Sequence, residues 1–560
     1  KKFPTGLIWY RIVGNGQPPK EIAKTSERNL DDPSILATAV HQAFKAYPAK
    51  RYGLILWDHG GAWLSGFGGD TEDGTKEGEG MAVQSVANAL RESVRALGLK
   101  GEKPLEFLTF DTCLMGGAEE VAAYEGIAKV YTANAEIDFG DGLDYTKTLT
   151  YLAENPTVSA LEFAKNEVSF WDAHHAAAGG LDAFFRSHAV WDTTKTPKLG
   201  ESMKALAKAI GDAKQEKAVA RALYLSSPEY FAGSTDDSSV ALRDLGNVLQ
   251  SLKGGENQSV GSAAARVIED INSARVGLSA GDLRKDQAGL HIFGGPVANL
   301  GDEHMEAYPI LAGAWEKATG WRDGVLSKLK SAAPKAIDKV TATLANASSG
   351  TDKAATLTIN SPSADTVYIE GLLMQDAPKG DDLVLGTIGH GFVGPGESRI
   401  RWNGQATYLV ASPKNIPVTV QPWTFTQQGQ AIRTPFMSVE GLLSAPEEEP
   451  MKAFALMNGD TGLATHIVLE TDASSYVVMT LAELAGMGEV TFTPVLTTFN
   501  ADKEDLGEVP SPTGVQVPAS GQLQFRREPV PAGKYFILGY AEDFWGNGDF
   551  EAQGVELTRP

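Results

Sequence analysis

Thiol chemistry is nearly absent from this chain: Cys113 is its one cysteine. An internal disulfide is therefore excluded, and the lone thiol has to be weighed as a reagent. No apolar run approaches the roughly 18 residues that span a bilayer, and the start, Lys1-Lys2-Phe3-Pro4, lacks the apolar core of a signal peptide, so an exported form is expected to have lost its signal already. Positive charge is also scarce. There are 49 Lys and Arg against 71 Asp and Glu, a net charge of -22. No continuous basic stretch exists to displace counterions from a polyanion, which argues against a nucleic-acid partner. The last fifth is the most acidic part: from Glu440 to Pro560 there are 19 acidic and 6 basic side chains, or -13 of the -22. A soluble, extracytoplasmic surface is expected.

What is present suffices for several cores: 560 residues with 42% hydrophobic content. Residues 1–150 alternate short apolar runs with helical patterns, the mark of a sheet wound with crossover helices. The expected strands are 52–57, 105–110 and a weaker 129–133. Between the first two, Val83, Val86, Leu90, Val94 and Leu97 recur at helical spacing, which makes a β-α-β crossover. Residues 151–333 read as a mainly helical continuation with one strand-like run at 290–293. Residues 334–446 and 447–560 read as two β-rich, sandwich-like modules divided at Ala445-Pro446-Glu447-Glu448-Glu449-Pro450.

Two strand ends carry the chemistry. Trp57-Asp58-His59-Gly60-Gly61 follows one strand, and Phe110-Asp111-Thr112-Cys113-Leu114-Met115-Gly116-Gly117 follows the next. Open α/β sheets bind ligands at the carboxyl ends of their strands. A helix expected from about Gly116 would favour a thiolate at Cys113, and imidazole beside thiol makes an activated nucleophile. The Gly60 and Cys113 N–H groups are candidates for an oxyanion hole. Taken singly, a free cysteine is usually buried filler and a lone histidine usually structural. The pair after two joined strands, flanked by glycines, tips the balance towards chemistry.

The blocks 47–61 and 111–116 resemble the His and Cys motifs of the clostripain family of cysteine peptidases, and 140–145 and 288–293 resemble later family segments, so the resemblance covers about 31–329. It implies a caspase-like α/β domain, a mostly parallel sheet flanked by helices, as in gingipains and legumain. It implies Cys113 as nucleophile, His59 as general acid/base, Asp111 at the floor of the specificity pocket and Asp141 lining it, hence cleavage of proteins or peptides after Arg or Lys. Without the resemblance, Asp111 reads equally well as a strand-end cap and Asp141 as a turn residue. The resemblance further implies a secreted or cell-envelope bacterial enzyme, a monomer, needing no cofactor for its chemistry. Departures are Leu143, where an aromatic is common, Ala62 in place of a glycine, and a sheet that starts one strand later than the family's.

The polar loop 68–80 is a site for nicking. Family members often mature by cutting themselves here after a basic residue, which makes Lys76 the candidate. The loop's carboxylates are the candidate ligands for the Ca2+ dependence known in the family, although their spacing does not fit an EF-hand. Gly277-Leu278-Ser279-Ala280-Gly281 fits the serine-hydrolase elbow string, but a helical pattern precedes it where a strand is required. His174-His175 lacks metal-ligand partners and reads as a helix-surface pair. Trp402, Trp423 and Trp545 offer a non-enzymatic reading, a carbohydrate-binding or adhesive face on a scaffold, against their use in cores.

Overall fold

The computed structural model describes residues 6–14, 16–70, 80–98, 104–138, 142–178, 180–225, 242–345, 355–376, 381–427, 430–446, 449–472, 475–500 and 505–557. Ile8–Arg11 and Lys20–Lys24 form a hairpin apart from the main sheet. Helix α1, Pro33–Ala46, begins where the Asp32 carboxylate accepts the Ser34 N–H at 2.8 Å and Pro33 supplies a preset first residue. Strand β1 is Gly53–Trp57, and α2, Val83–Ala96, carries the chain back to β2, Leu105–Asp111. The expected apolar stripe of α2 is its buried face: Val83, Val86, Leu90 and Val94 all lie in the core. A short helix α3, Ala118–Ala123, leads to β3, Ala128–Asn134.

The next segment is mainly helical, as expected, but carries four strands where one was expected. It contains α4, Ala160–Ala178, then β4, Ser187–Asp192, α5, Thr196–Ala213, β5, Leu242–Asp244, α6, Gln258–Ala274, β6, Arg275–Ala280, and β7, His291–Phe293. The five-stranded sheet runs β6-β4-β3-β2-β1. Strands β1, β2 and β3 are parallel, whereas β4 and β6 are antiparallel to their neighbours. The sheet is thus mixed rather than mostly parallel. Strands β4 and β6 escaped notice because His188, Ser279 and two flanking glycines break up runs too short to show a period of two. Strand β1 lies at the sheet edge. The expected 290–293 strand exists, but it pairs with β5 outside the main sheet.

From Thr341 on the described residues are mostly strand, with hydrophobic clusters of their own, the two larger ones around Leu357 and Ile537 and around Ile467 and Phe492. Pairing crosses the boundary expected at 446: Gln430–Ser444 pairs with Met451–Asn458, and Thr366–Gln375 pairs with Gly533–Asp543. The Pro- and Glu-rich step joins two paired strands. This half rests on the α/β half through Phe436 against Phe184, ring centroids 5.4 Å apart, Tyr224 donating to Glu542 at 2.8 Å, and the Ala298 N–H on the Trp545 carbonyl at 2.8 Å. Among the described residues no helix is long and apolar enough to cross a membrane.

Asp244 binds several of these pieces. Fully buried at the end of β5, it accepts from the N–H groups of Asn247, Ala288 and Gly289 at 2.9 to 3.1 Å. Asp244→Ala would leave three buried donors without this acceptor and is expected to cost about 2–4 kcal/mol, read as a lower urea midpoint for the α/β half.

Candidate active site

Sheet register brings the two motifs together. Parallel pairing aligns Trp57 with Asp111, so His59 and Cys113 each stand two residues beyond partnered positions. After His59, Gly60–Gly61 pairs antiparallel with Gly66–Phe67 around one helical turn, Ala62–Ser65, and the His59 carbonyl accepts the Gly68 N–H at 3.0 Å. The two extensions touch through backbone: a Cβ on Gly60 would lie 2.0 Å from the Cys113 carbonyl oxygen. No larger residue fits there. Ala62 and Leu114, one in each extension, have left-handed backbones at φ 54 and 51. Each costs about 1–2 kcal/mol relative to ordinary geometry, and the conformation of Ala62 explains why a glycine suits that position better.

His59 and Cys113 are both half-buried. The Asp138 N–H donates to Cys113 Sγ at 3.3 Å. Burial, and then the Asp138 carboxylate, push the thiol up to about 12. The helix expected to favour a thiolate does not offset this. Helix α3 has six residues and begins at Ala118, five positions beyond the cysteine. A dipole effect is confined to the first turn of a helix. A thiol so placed gives up its proton less readily than a free cysteine.

Behind the thiol runs a buried polar chain that inspection of motifs missed. Asn134 Nδ2 donates to the Thr112 carbonyl at 2.9 Å and to Asp138 Oδ2 at 3.0 Å. Its Oδ1 accepts from His188 Nδ1 at 2.6 Å, and His188 Nε2 faces Glu167 Oε1 at 2.9 Å. Thr109 donates to the other Glu167 oxygen at 2.9 Å. With Nδ1 as the donor to Asn134, the Nε2 contact with Glu167 completes the chain. Its Asn, His and Glu come from β3, β4 and α4, which no local pattern in the sequence relates. Nearby, the buried Glu136 pairs with Arg284, and its carbonyl accepts the Leu114 N–H at 3.1 Å.

Asp111 is buried and holds the following loop. It accepts the Leu143 N–H at 3.0 Å and the Tyr145 hydroxyl at 2.7 Å, while Gly142, at φ 61, lies flat against both oxygens. His175 is not on the surface as expected. It is buried under this loop, Nε2 donating to the Gly142 carbonyl at 2.9 Å and the ring packed on Trp171. Asp141 and Lys76 lie outside the described residues, as do 71–79, the centre of the acidic loop proposed for calcium. Ser279 sits within β6, buried and bonded to Asp172 at 2.5 Å, with no elbow. Trp402 and Trp545 are buried with their N–H groups on the Gln405 carbonyl and the Asp365 carboxylate, so they complete cores. The side chain of Trp423 is not among those described.

A cysteine and a histidine on adjoining strand extensions at the carboxyl edge of an α/β sheet, with Gly60 backbone against the Cys113 carbonyl, are the parts a cysteine-type hydrolase needs. Residues 9–287 match the sequence profile of the clostripain family, peptidase C11. Through this segment the chain belongs to the clostripain family and is a cysteine-type peptidase. No curated protein matches it. Similar solved structures include a secreted C11 cysteine protease from Bacteroides thetaiotaomicron in complex with an irreversible peptide inhibitor, 20% identical, covering 56% of this chain and 85% of that one, TM-score 0.41. An inactive zymogen C11 protease from Parabacteroides distasonis is 16% identical over 56% and 83%, TM-score 0.41.

Asp138→Asn removes the charge beside the thiol and keeps the N–H donor. Iodoacetamide labelling of wild-type Cys113 is expected to keep rising through pH 9, because a raised thiol stays protonated at neutral pH, and the Asn variant should label faster at pH 8. A wild-type plateau below pH 8 would contradict the environment described.

Proposed function

We propose that the chain is an endopeptidase that cleaves proteins after Arg or Lys through a Cys113–His59 dyad. The observation that carries this reading is the register of β1 against β2, with the Gly60 backbone pressed on Cys113. Cys113 Sγ attacks the scissile carbonyl while His59 removes the thiol proton, a transfer made necessary by the raised thiol. The Gly60 and Cys113 N–H groups receive the oxyanion. His59 then protonates the leaving amine, a thioester remains, and water activated by His59 releases the acid and restores the thiol. No metal enters these steps; calcium, held by the loop carboxylates, would act on stability or maturation.

Asp111 supports the basic preference. Its oxygens hold the loop through two hydrogen bonds, and a carboxylate has about four acceptor sites, so it can also receive a guanidinium; Asp141 adds a second charge. We take the enzyme to be a secreted or cell-envelope bacterial protein and a monomer; its net acidity suits an extracytoplasmic surface. Self-cleavage after Lys76 matures it.

Fluorogenic peptides differing only at P1 test the specificity, with and without chelator. Arg and Lys substrates should turn over, and Cys113→Ala or His59→Ala should lower kcat/KM by about 10³-fold or more. Preference for P1 Asp or Asn would refute the roles of Asp111 and Asp141. For maturation, active enzyme should run as two fragments on a denaturing gel and Cys113→Ala or Lys76→Ala as one; an intact band from active enzyme rules out the cut.

A further inference from the structure

One buried group of ionisable side chains takes no part in this chemistry. Glu119 and Glu120 on α3 meet His291 on β7, and one potential ligand atom from each lies within 4.8 Å of the others. All three residues are at 0% exposure. They are brought together by backbone, since the His291 N–H donates to the Gly116 carbonyl at 3.2 Å and Gly117 bridges to His291. Two adjacent carboxylates removed from water are costly unless they take up protons or positive charge accompanies them, and burial raises the proton affinity of both. Among the described residues no Lys or Arg pairs with either one.

The arrangement around the cluster is that of a ligand set. Neither oxygen of Glu120 has a well-formed hydrogen bond, although the carboxylate is entirely enclosed and aimed at the other two residues; the backbones of Gly117 and of Glu120 itself lie beside it. Glu119 is oriented by the Phe293 N–H at 3.0 Å and the Tyr308 hydroxyl at 2.6 Å, both on Oε1. His291 Nε2 faces the Leu114 carbonyl at 2.8 Å, and a carbonyl only accepts, so Nε2 carries the hydrogen and Nδ1 carries the lone pair. Metal-bound histidines and carboxylates are usually steadied in this way, by a backbone carbonyl on the far ring nitrogen and by donors on the carboxylate. Gly117 leaves the necessary space: a Cβ there would lie 2.0 Å from Glu120 Oε2 and 2.5 Å from His291 Nδ1.

We propose that Glu119, Glu120 and His291 form a binding site for a divalent transition-metal cation of the Zn2+ or Mn2+ class. Two carboxylates and one dication are neutral together, and the imidazole nitrogen favours a borderline cation over Ca2+ or Mg2+, which prefer all-oxygen sites. The ion acts structurally. It fixes the ring that holds the carbonyl of Leu114, the left-handed residue next to Cys113, and so braces the turn that presents the thiol.

The test uses the full chain, untagged and carrying Cys113→Ala so that self-cleavage does not interfere. Samples loaded with Zn2+, Mn2+ or Ca2+ are dialysed into metal-free buffer and their metal content is measured by mass spectrometry. One equivalent of Zn2+ or Mn2+ is expected to remain, a strong chelator should lower Tm by roughly 5 °C or more, and Zn2+ should restore it. Glu120→Gln in the same background should lose the ion. Retention below about a tenth of an equivalent with an unmoved Tm, retention of Ca2+ alone, or equal retention by Glu120→Gln would each overturn the proposal. If Glu120→Gln does not fold, metal content and chelator shift of the parent decide.

Discussion

Everything the site can do depends on one pairing, that of β1 with β2. Parallel strands in register present successive residues at equal height, so the two segments that follow the paired ends leave the sheet beside each other. The contact between Gly60 and the Cys113 carbonyl then sets how close the two extensions stand. A shift of one residue would turn the following side chains to opposite faces. The α/β crossover, the Gly60–Phe67 hairpin and the left-handed turns at Ala62 and Leu114 all serve to maintain that register up to the reacting groups.

The electrostatic setting constrains the chemistry that follows. The half-buried thiol beside Asp138, with no long helix directed at it, has its proton affinity raised, so in the proposed dyad the imidazole acts during the attack rather than storing an ion pair beforehand. The polar chain from Asp138 through Asn134 and His188 to Glu167 fixes the wall behind the sulfur from three different elements. On the other side, Asp111 and His175 clamp the loop at Gly142. The site is thus built from short-range hydrogen bonds whose partners are far apart in the chain.

That distance explains what could be read early. The β1-α2-β2 unit was legible because its strand runs and helical stripe are local periodicities, and the two motifs were legible because each is a contiguous block next to a strand end. Strands β4 and β6 were not legible, since polar residues at 188 and 279 interrupt short runs whose burial comes only from neighbouring strands. His175 was misplaced for the same reason. Nothing near it in sequence shows that Gly142 lies above it.

The amino-acid order alone determined the class of chemistry: a single thiol, a histidine block and glycines at the ends of two joined strands restrict the chain to a few readings, and local pattern selects among them. The tertiary structure decided the rest. It set the surroundings that raise the proton affinity of Cys113, the tie between Asp111 and its loop, the burial of Ser279, Trp402 and Trp545, and the meeting of Glu119 and Glu120 with His291. Proton affinity and burial depend on which distant groups exclude water from a side chain, and that information exists only once the chain has folded.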